Sequence, residues 1–207
     1  MSRRLAAFES EDRRRLPPKE AIVFVGSSIF EQWTSVTDQM APLPVFNRAV
    51  GGSQTDYQLS HIDQLVLQYR PRIIVYYCGS NDIDAGKSAA IVSTNFRQFV
   101  NRVAAELPAT KVIFASILRA PEKRALWNVV DAANAEVKAY ATGNDRVIYV
   151  DINKAVFNSR GGVRLDLYQN DQLHYKPRAY AKFTRLIKPV LQDAWQSLRV
   201  PQDASPK

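Results

Sequence analysis

The sequence predicts an α/β fold, a three-layer α/β/α sandwich built around a five-stranded parallel sheet. Five short apolar runs lack polar alternation, which is typical of strands buried on both faces. Segments with helical spacing of apolar residues separate most of these runs, so the strands must pair in parallel through right-handed crossovers. The 207 residues, 46% of them hydrophobic, suit one core and therefore a single domain.

The predicted strands are rich in Val, Ile and Tyr, apart from the second, which is a weak signal. They cover residues 21–25, 44–46, 73–78, 112–115 and 147–150.

Four helices are predicted from apolar residues at helical spacing. They cover residues 59–69, ended by Pro71, residues 96–107, ended by Pro108, residues 126–140, and a closing helix over 180–195 that Pro189 should bend. We expect residues 1–20 to form a helical lead-in to the main domain at 21–198, and residues 199–207 to form a disordered tail.

The net charge of +8 has two possible interpretations, a nucleic-acid partner or an ordinary solvated surface. The bases are scattered, and the one dense run, residues 13–15, lies beside Glu11 and Asp12. This pattern favours a solvated helix face, so no nucleic-acid partner is expected.

The chain carries one cysteine, Cys78, and two histidines, His61 and His174. This set excludes an intrachain disulfide and is too poor for a zinc site of the usual Cys/His kind, so we expect no metal. The sequence has neither an apolar run long enough to span a membrane nor the apolar segment of a secretory signal. We therefore expect a cytoplasmic protein with no membrane span, or a secreted or periplasmic one if a signal peptide preceded Met1.

Polar and glycine-rich motifs lie where ligands bind in such sheets, beyond the carboxyl ends of the strands. They are GSSI at 26–29, NRAVGGSQT at 47–55, GSND at 79–82 and, after the fifth strand, DQLH at 171–174. Each motif alone fits an ordinary turn or helix cap. Their common position at one end of the sheet favours a shared function.

Acyl transfer needs a nucleophilic hydroxyl, a base, a group that orients the base, and donors for the oxyanion. A serine of the first loop, a backbone N–H of a glycine in the second and the amide of Asn81 supply the hydroxyl and the donors. His174 is the histidine placed to act as a base, because His61 lies within a helical pattern. Asp171, three residues earlier, is close enough to reach Nδ1 of that imidazole.

Together the four motifs resemble the conserved blocks of the SGNH hydrolases, the GDSL lipase/acylhydrolase family, from about residue 22 to residue 195. The resemblance implies a flavodoxin-like strand order, 2-1-3-4-5, for an SGNH hydrolase domain at 21–198. It also implies that Ser28 is the nucleophile and that Asp171 and His174 complete a triad. The implied oxyanion donors are the N–H groups of Ser28 and Gly52 and the side chain of Asn81.

One position departs from the family's name motif, because Ser27 stands where Gly-Asp-Ser has its aspartate. The chain resembles a Gly-Ser-Ser variant branch of small esterase-like members. The missing carboxylate is not one of the catalytic groups, so we expect activity to survive.

The expected function is hydrolysis of a small-molecule carboxylic ester, with short acyl or acetyl groups preferred, through an acyl-enzyme and without a cofactor. The alternatives are a thioesterase or lysophospholipase with the same machinery, or a ligand-binding member without turnover. Four aromatic residues either line the substrate pocket or belong to the core: Trp33, Tyr57, Trp127 and Tyr168.

Overall fold

The computed structural model describes residues 2–198 and contains one sheet of five parallel strands in the order β2-β1-β3-β4-β5. The strands are β1 (Ile22–Gly26), β2 (Val45–Asn47), β3 (Ile73–Tyr77), β4 (Lys111–Ala115) and β5 (Val147–Val150). Each predicted strand is present within one residue at either end. The predicted fold class and strand order are therefore confirmed, whereas the predicted tail at 199–207 lies outside the described residues.

Helices cover both faces of the sheet. They are α1 (Ser2–Arg14), α2 (Ser28–Glu31), α3 (Val36–Met40), α4 (Thr55–Ser60), α5 (Ile62–Leu65), α6 (Ser80–Asp84), α7 (Ala89–Glu106), α8 (Trp127–Thr142) and α9 (Pro177–Ser197). Short 3-10 segments lie at Leu67–Tyr69, Pro121–Leu126, Ile152–Ala155 and Leu165–Leu167.

The two faces of the sheet form two hydrophobic clusters, because successive residues of a strand point to opposite sides. In β1, Phe24 packs into the cluster that includes Phe183 of α9, and Val25 into the cluster that includes Phe96 of α7. All five residues of β1 and of β3 are buried. This double burial explains why the strands lack polar alternation.

The prediction of one continuous helix over 59–69 is wrong. Residues of this region form α4, α5 and the 3-10 segment Leu67–Tyr69, with breaks at His61 (φ −113°, ψ 20°) and Val66 (φ −137°, ψ −61°). The apolar spacing survives these breaks, since Ile62 and Val66 are buried in one cluster and the buried ring of Tyr69 packs on Phe46 at its border. Spacing alone therefore cannot distinguish one helix from three short ones. At the other end of the chain, α9 continues through Pro189.

No helix within residues 2–198 is both long enough and apolar enough to cross a bilayer.

Candidate active site

The turn between β1 and α2 places two serines at the carboxyl edge of the sheet. Gly26 has a φ of +141°, and a β-carbon built on it would lie 1.8 Å from the carbonyl oxygen of Tyr77. Only glycine permits this approach of β1 to β3. Ser27 then donates its N–H to the same oxygen at 3.0 Å, and its own carbonyl accepts from the N–H of Phe30 and Glu31. The chain thus enters α2 with Ser28 as the first helical residue.

Ser28, His174 and Asp171 form one chain of hydrogen-bonding groups. Nε2 of His174 lies 2.9 Å from Oγ of Ser28, and Nδ1 lies 2.6 Å from Oδ2 of Asp171. The other carboxylate oxygen, Oδ1, accepts the N–H groups of Leu173 at 3.0 Å and His174 at 2.9 Å. Residues separated by 146 positions in the sequence are therefore in direct contact.

The carboxylate of Asp171 is held in its ionised form. Desolvation acts to raise the pKa of Asp171, but hydrogen bonds from the His174 ring and from two backbone N–H groups outweigh it and lower the pKa to about 2. An ionised carboxylate beside Nδ1 favours the proton on that nitrogen, which leaves Nε2 as the acceptor for the Ser28 hydroxyl.

The loops that carry Gly52 and Asn81 lie side by side. Gly52 has a φ of +73°, a conformation that favours glycine, and a β-carbon there would meet nothing within 4 Å. Nδ2 of Asn81 donates to the carbonyl oxygen of Ser53 at 2.9 Å, so the two predicted oxyanion donors are linked through the residue after Gly52. A carboxamide has two N–H groups, and the second can still donate to a ligand.

A buried carboxylate joins the same two loops. Asp82 is 0% exposed and accepts from the N–H of Thr55 at 2.9 Å, from its hydroxyl at 2.6 Å, and from Nζ of Lys87 at 3.2 Å. Lys87 also donates to Asp56 at 2.7 Å. We call Asp82, Thr55, Lys87 and Asp56 the loop clamp. A buried carboxylate needs partners, but nothing in the sequence indicated that Thr55 and Lys87 would be those partners.

Two side chains outside the predicted set hold the remaining loops against α2. Asn47 donates from Nδ2 to the carbonyl oxygen of Phe30 at 2.7 Å and accepts the N–H of Ala49 at 2.9 Å. Gln169 donates to the side chain of Gln32 at 3.1 Å. Asn47 opens the second motif and could have been noticed there, whereas Gln169 gave no signal in the sequence.

The four predicted substrate-binding aromatic residues separate into two groups. Trp33 is 0% exposed and Tyr168 is 1% exposed. Trp33 packs edge-on against Phe24 with ring centroids 5.7 Å apart, and Tyr168 packs on Tyr175 at 4.6 Å. These contacts correct the expectation for Trp33 and Tyr168, because rings that fill the core leave no surface for a substrate.

Tyr57 and Trp127 are only partly buried. Trp127 donates its indole N–H to the carbonyl oxygen of Ala120 at 2.7 Å. Tyr57 borders an open groove of about 510 Å³ that also reaches Gly52. Tyr57 therefore lies near the loop that carries Gly52, a predicted oxyanion donor.

The site offers a hydroxyl hydrogen-bonded to an imidazole, an ionised carboxylate on the other side of that imidazole, and polar N–H groups on neighbouring loops. Nucleophilic acyl transfer requires these groups. Within residues 2–198, no group of three or more His, Cys, Asp or Glu side chains is arranged to hold a metal ion.

Comparison with known proteins agrees with this geometry. Residues 24–182 match the model of the GDSL-like Lipase/Acylhydrolase family. A comparison with curated proteins gave no significant match.

Several solved structures share the fold at low sequence identity. A protein from Streptococcus pneumonia, described as a candidate platelet activating factor, is 20% identical over 92% of each chain, with a TM-score of 0.80. A GDSL-like lipase from Bacteroides thetaiotaomicron is 21% identical over 92% of this chain and 98% of its own, with a TM-score of 0.77. A mutant acetyl-xylooligosaccharide esterase from Geobacillus Stearmophilus is 13% identical over 90% of this chain and 97% of its own, with a TM-score of 0.66.

The family match covers well over half of the chain and includes the loops that carry Ser28, Gly52, Asn81 and His174. The chain therefore belongs to the GDSL-like lipase/acylhydrolase family, has the SGNH hydrolase fold, and is a hydrolase acting on ester bonds.

Proposed function

We propose that the protein is a serine esterase that hydrolyses carboxylic esters of short acyl groups, acetyl above all, through an acyl-enzyme. The observation that carries this proposal is the continuous contact from Ser28 through His174 to Asp171, with distances of 2.9 Å and 2.6 Å. Ser28 is the nucleophile, His174 the general base and acid, and Asp171 the group that orients His174. No cofactor takes part.

The first half of the reaction forms the acyl-enzyme. Oγ of Ser28 attacks the ester carbonyl carbon while Nε2 of His174 takes the hydroxyl proton. The N–H groups of Ser28 and Gly52 and the amide of Asn81 hold the oxyanion of the tetrahedral intermediate. When the intermediate collapses, the imidazolium gives its proton to the leaving oxygen and the alcohol departs.

The second half of the reaction restores the enzyme. A water molecule gives a proton to Nε2 of His174 and attacks the acyl carbon, so a second tetrahedral intermediate forms in the same oxyanion hole. Collapse breaks the bond to Oγ of Ser28, returns the proton to that oxygen and releases the carboxylic acid.

Short acyl groups are supported by the polar border of the open groove beside Gly52, where Gln54, Asp56 and Ser60 lie. A long acyl chain gains its binding energy from apolar surface, which these side chains offer poorly. The similar fold of an acetyl-xylooligosaccharide esterase supports the same preference. Because Ser27 stands in the place of the family's aspartate, we also propose that the chain belongs to a Gly-Ser-Ser branch of the family.

The two adjacent serines provide the test. Ser28→Ala should abolish 4-nitrophenyl acetate hydrolysis and labelling by a fluorophosphonate probe, because it removes the attacking oxygen. Ser27→Ala is the matched control, since Ser27 is 2% exposed and shapes the turn with its backbone groups. Activity and labelling that survive in Ser28→Ala but disappear in Ser27→Ala would show that the nucleophile is assigned to the wrong serine.

A substrate panel separates the proposal from its alternatives. Acetyl, butyryl and octanoyl esters, an acyl thioester and a lysophospholipid should be hydrolysed with a kcat/KM that is highest for the acetyl ester. A higher kcat/KM for the thioester or the lysophospholipid would show instead that the protein is a thioesterase or a lysophospholipase. A folded protein that neither labels nor turns over any ester would instead be a ligand-binding member of the fold.

A further inference from the structure

An open groove of about 510 Å³ adjoins the proposed oxyanion hole on the side of α4. It is lined by Gly52, Gln54, Asp56, Tyr57 and Ser60, which belong to the second loop and to α4. Because a β-carbon on Gly52 would meet nothing within 4 Å, the space beside this backbone is open. A substrate whose carbonyl oxygen reaches the Gly52 N–H can therefore extend into the groove.

The groove presents hydrogen-bonding groups around an aromatic ring. Three lining side chains offer polar groups, Gln54 a carboxamide, Asp56 a carboxylate and Ser60 a hydroxyl, whereas the Tyr57 hydroxyl is buried, so Tyr57 contributes only its ring. The side chain of Asp56 is 62% exposed, and each of its oxygens already accepts one hydrogen bond, Oδ2 from Lys87 and Oδ1 from the N–H of Tyr57, both at 2.7 Å. A carboxylate oxygen can accept more than one hydrogen bond, so both remain available to hydroxyl donors.

The ring of Tyr57 is held in place from one side. It stacks on His61 with centroids 4.0 Å apart and an angle of 24° between the planes. His61 in turn lies within hydrogen-bond distance of Oγ of Ser60 at 2.9 Å. A ring fixed in this way offers a flat apolar surface at little cost in side-chain entropy.

We propose that this groove binds the polyhydroxylated alcohol part of the ester, a sugar or polyol; this inference rests on the proposed esterase function. A sugar ring has an apolar C–H face that suits the Tyr57 ring and an edge of hydroxyls that suits Gln54 and Asp56. An acyl chain in the same place would desolvate the carboxylate and the carboxamide without returning hydrogen bonds. The carboxylate of Asp56 also disfavours a phosphate group, because Lys87 already pairs with both Asp56 and Asp82.

The test compares two acetyl esters that differ in the alcohol. The substrates are 4-nitrophenyl acetate and a monoacetylated methyl xyloside, and the readout is the ratio of their kcat/KM values. Tyr57→Ala should lower the ratio of sugar ester to nitrophenyl ester by about five- to tenfold, the effect of losing one aromatic contact. Tyr57→Phe is the matched variant and should keep the ratio, since the Tyr57 hydroxyl has no hydrogen-bond partner among the described residues.

Binding without turnover gives a second readout. In the Ser28→Ala background, calorimetry should detect the acetylated xyloside and should show weaker binding when Tyr57 is also replaced by Ala. If Tyr57→Ala does not fold, Tyr57→Leu keeps apolar bulk without the flat ring and should give the same result.

The outcomes separate this inference from the esterase assignment. An unchanged ratio in Tyr57→Ala, or no binding of the sugar ester to Ser28→Ala, would overturn the sugar groove while leaving hydrolysis of simple esters intact. Wild-type protein that takes no fluorophosphonate label and hydrolyses no ester would instead overturn the esterase assignment. Sugar binding would still be measurable in that case.

Discussion

At the scale of single residues, Asp171 uses its two oxygens for different tasks. Oδ2 contacts the imidazole of His174, while Oδ1 accepts two backbone N–H groups and closes the turn. A folded pKa of about 2, below the ordinary 3.8, means that ionised Asp171 stabilises the fold fully above pH 4. This contribution is lost as the pH falls from about 4 through about 2. The side chain is 46% exposed, so solvent screening keeps the contribution small.

We predict that replacing His174 raises the pKa of Asp171. In wild-type protein, a carbon-13 NMR titration of the Asp171 carboxyl should give a midpoint near 2. His174→Ala removes the ring hydrogen bond but keeps both backbone N–H bonds, so the midpoint should move upward toward 3.8 without reaching it. His61→Ala is the control and should leave the midpoint in place. A wild-type midpoint at 3.8 would contradict the proposed coupling between the two side chains.

The two serines show which properties of single residues could be predicted from the sequence. Both follow the same glycine, and the residues alone left the nucleophile undecided between them. The family resemblance favoured Ser28, whose hydroxyl lies beside His174, whereas Ser27 is buried in the turn. The aromatic residues were harder, because Trp33 and Tyr57 both have polar neighbours in the sequence, yet Trp33 is fully buried and Tyr57 only partly buried. Exposure depends on how α2 and α4 pack, which local sequence does not determine.

At the scale of elements, the loop clamp fixes α4 against α6. Thr55 is the first residue of α4, and Asp82 lies in α6 beside Asn81. The bonds from Thr55 to Asp82 therefore set the distance between the loop that carries Gly52 and the helix that carries Asn81. Under the proposed mechanism, Asp82 and Thr55 would be positioning residues that act through the proposed oxyanion donors Gly52 and Asn81.

We predict that loosening the clamp slows turnover more than it weakens binding. Thr55→Val is nearly isosteric and removes the hydroxyl, which donates to Asp82 at 2.6 Å and accepts from Nδ2 of Asn95 at 2.9 Å. Direct loss of an oxyanion donor costs about 10²- to 10³-fold in kcat, so an indirect displacement should cost less, about tenfold. The value of kcat for 4-nitrophenyl acetate should fall while KM changes little.

A double-mutant cycle with Asn81→Ala identifies how the clamp acts. If Thr55 works through the oxyanion hole, Thr55→Val should lower kcat less in the Asn81→Ala background than in wild-type protein. Thr55→Ser keeps the hydroxyl and should restore most of the rate. Fully additive effects, or a loss confined to thermal stability, would mean that the clamp has only a structural role.

The elements also show what the sequence could and could not predict. The strands and the two longest helices, α7 and α9, followed from apolar spacing because burial of one face dictates that spacing. The division between α4 and α5 did not follow, since both halves bury residues on the same side. Nor did the clamp, because Thr55 follows β2 and Asp82 follows β3, and these residues, 27 positions apart, meet only when β2 and β3 pair with opposite edges of β1.

At the scale of the whole molecule, α1 packs on the edge of the sheet beside β2. Phe8 of this helix is 2% exposed and belongs to the same hydrophobic cluster as Val25 and Phe96. The guanidinium of Arg48, which follows β2, pairs with Asp12 of α1 and donates its Nε–H to the hydroxyl oxygen of Tyr69 at 3.0 Å; that hydroxyl in turn donates to Asp12. Arg48 is only 6% exposed, so this ion pair is largely removed from water.

We predict that Arg48→Met destabilises the protein by about 3 kcal/mol, because it leaves the carboxylate of Asp12 poorly solvated and without its cation. The Asp12 side chain is 12% exposed, and that of Glu11, the other acidic partner of Arg48, is 50% exposed, so Glu11 should contribute much less. The double variant Arg48→Met/Asp12→Asn removes the orphaned charge but keeps an acceptor for the Tyr69 hydroxyl, so it should recover part of the loss. Urea unfolding monitored by tryptophan fluorescence measures the three free energies of unfolding. A double variant less stable than Arg48→Met would show that the buried charge is not the cause, and that α1 is held by the packing of Phe8 instead.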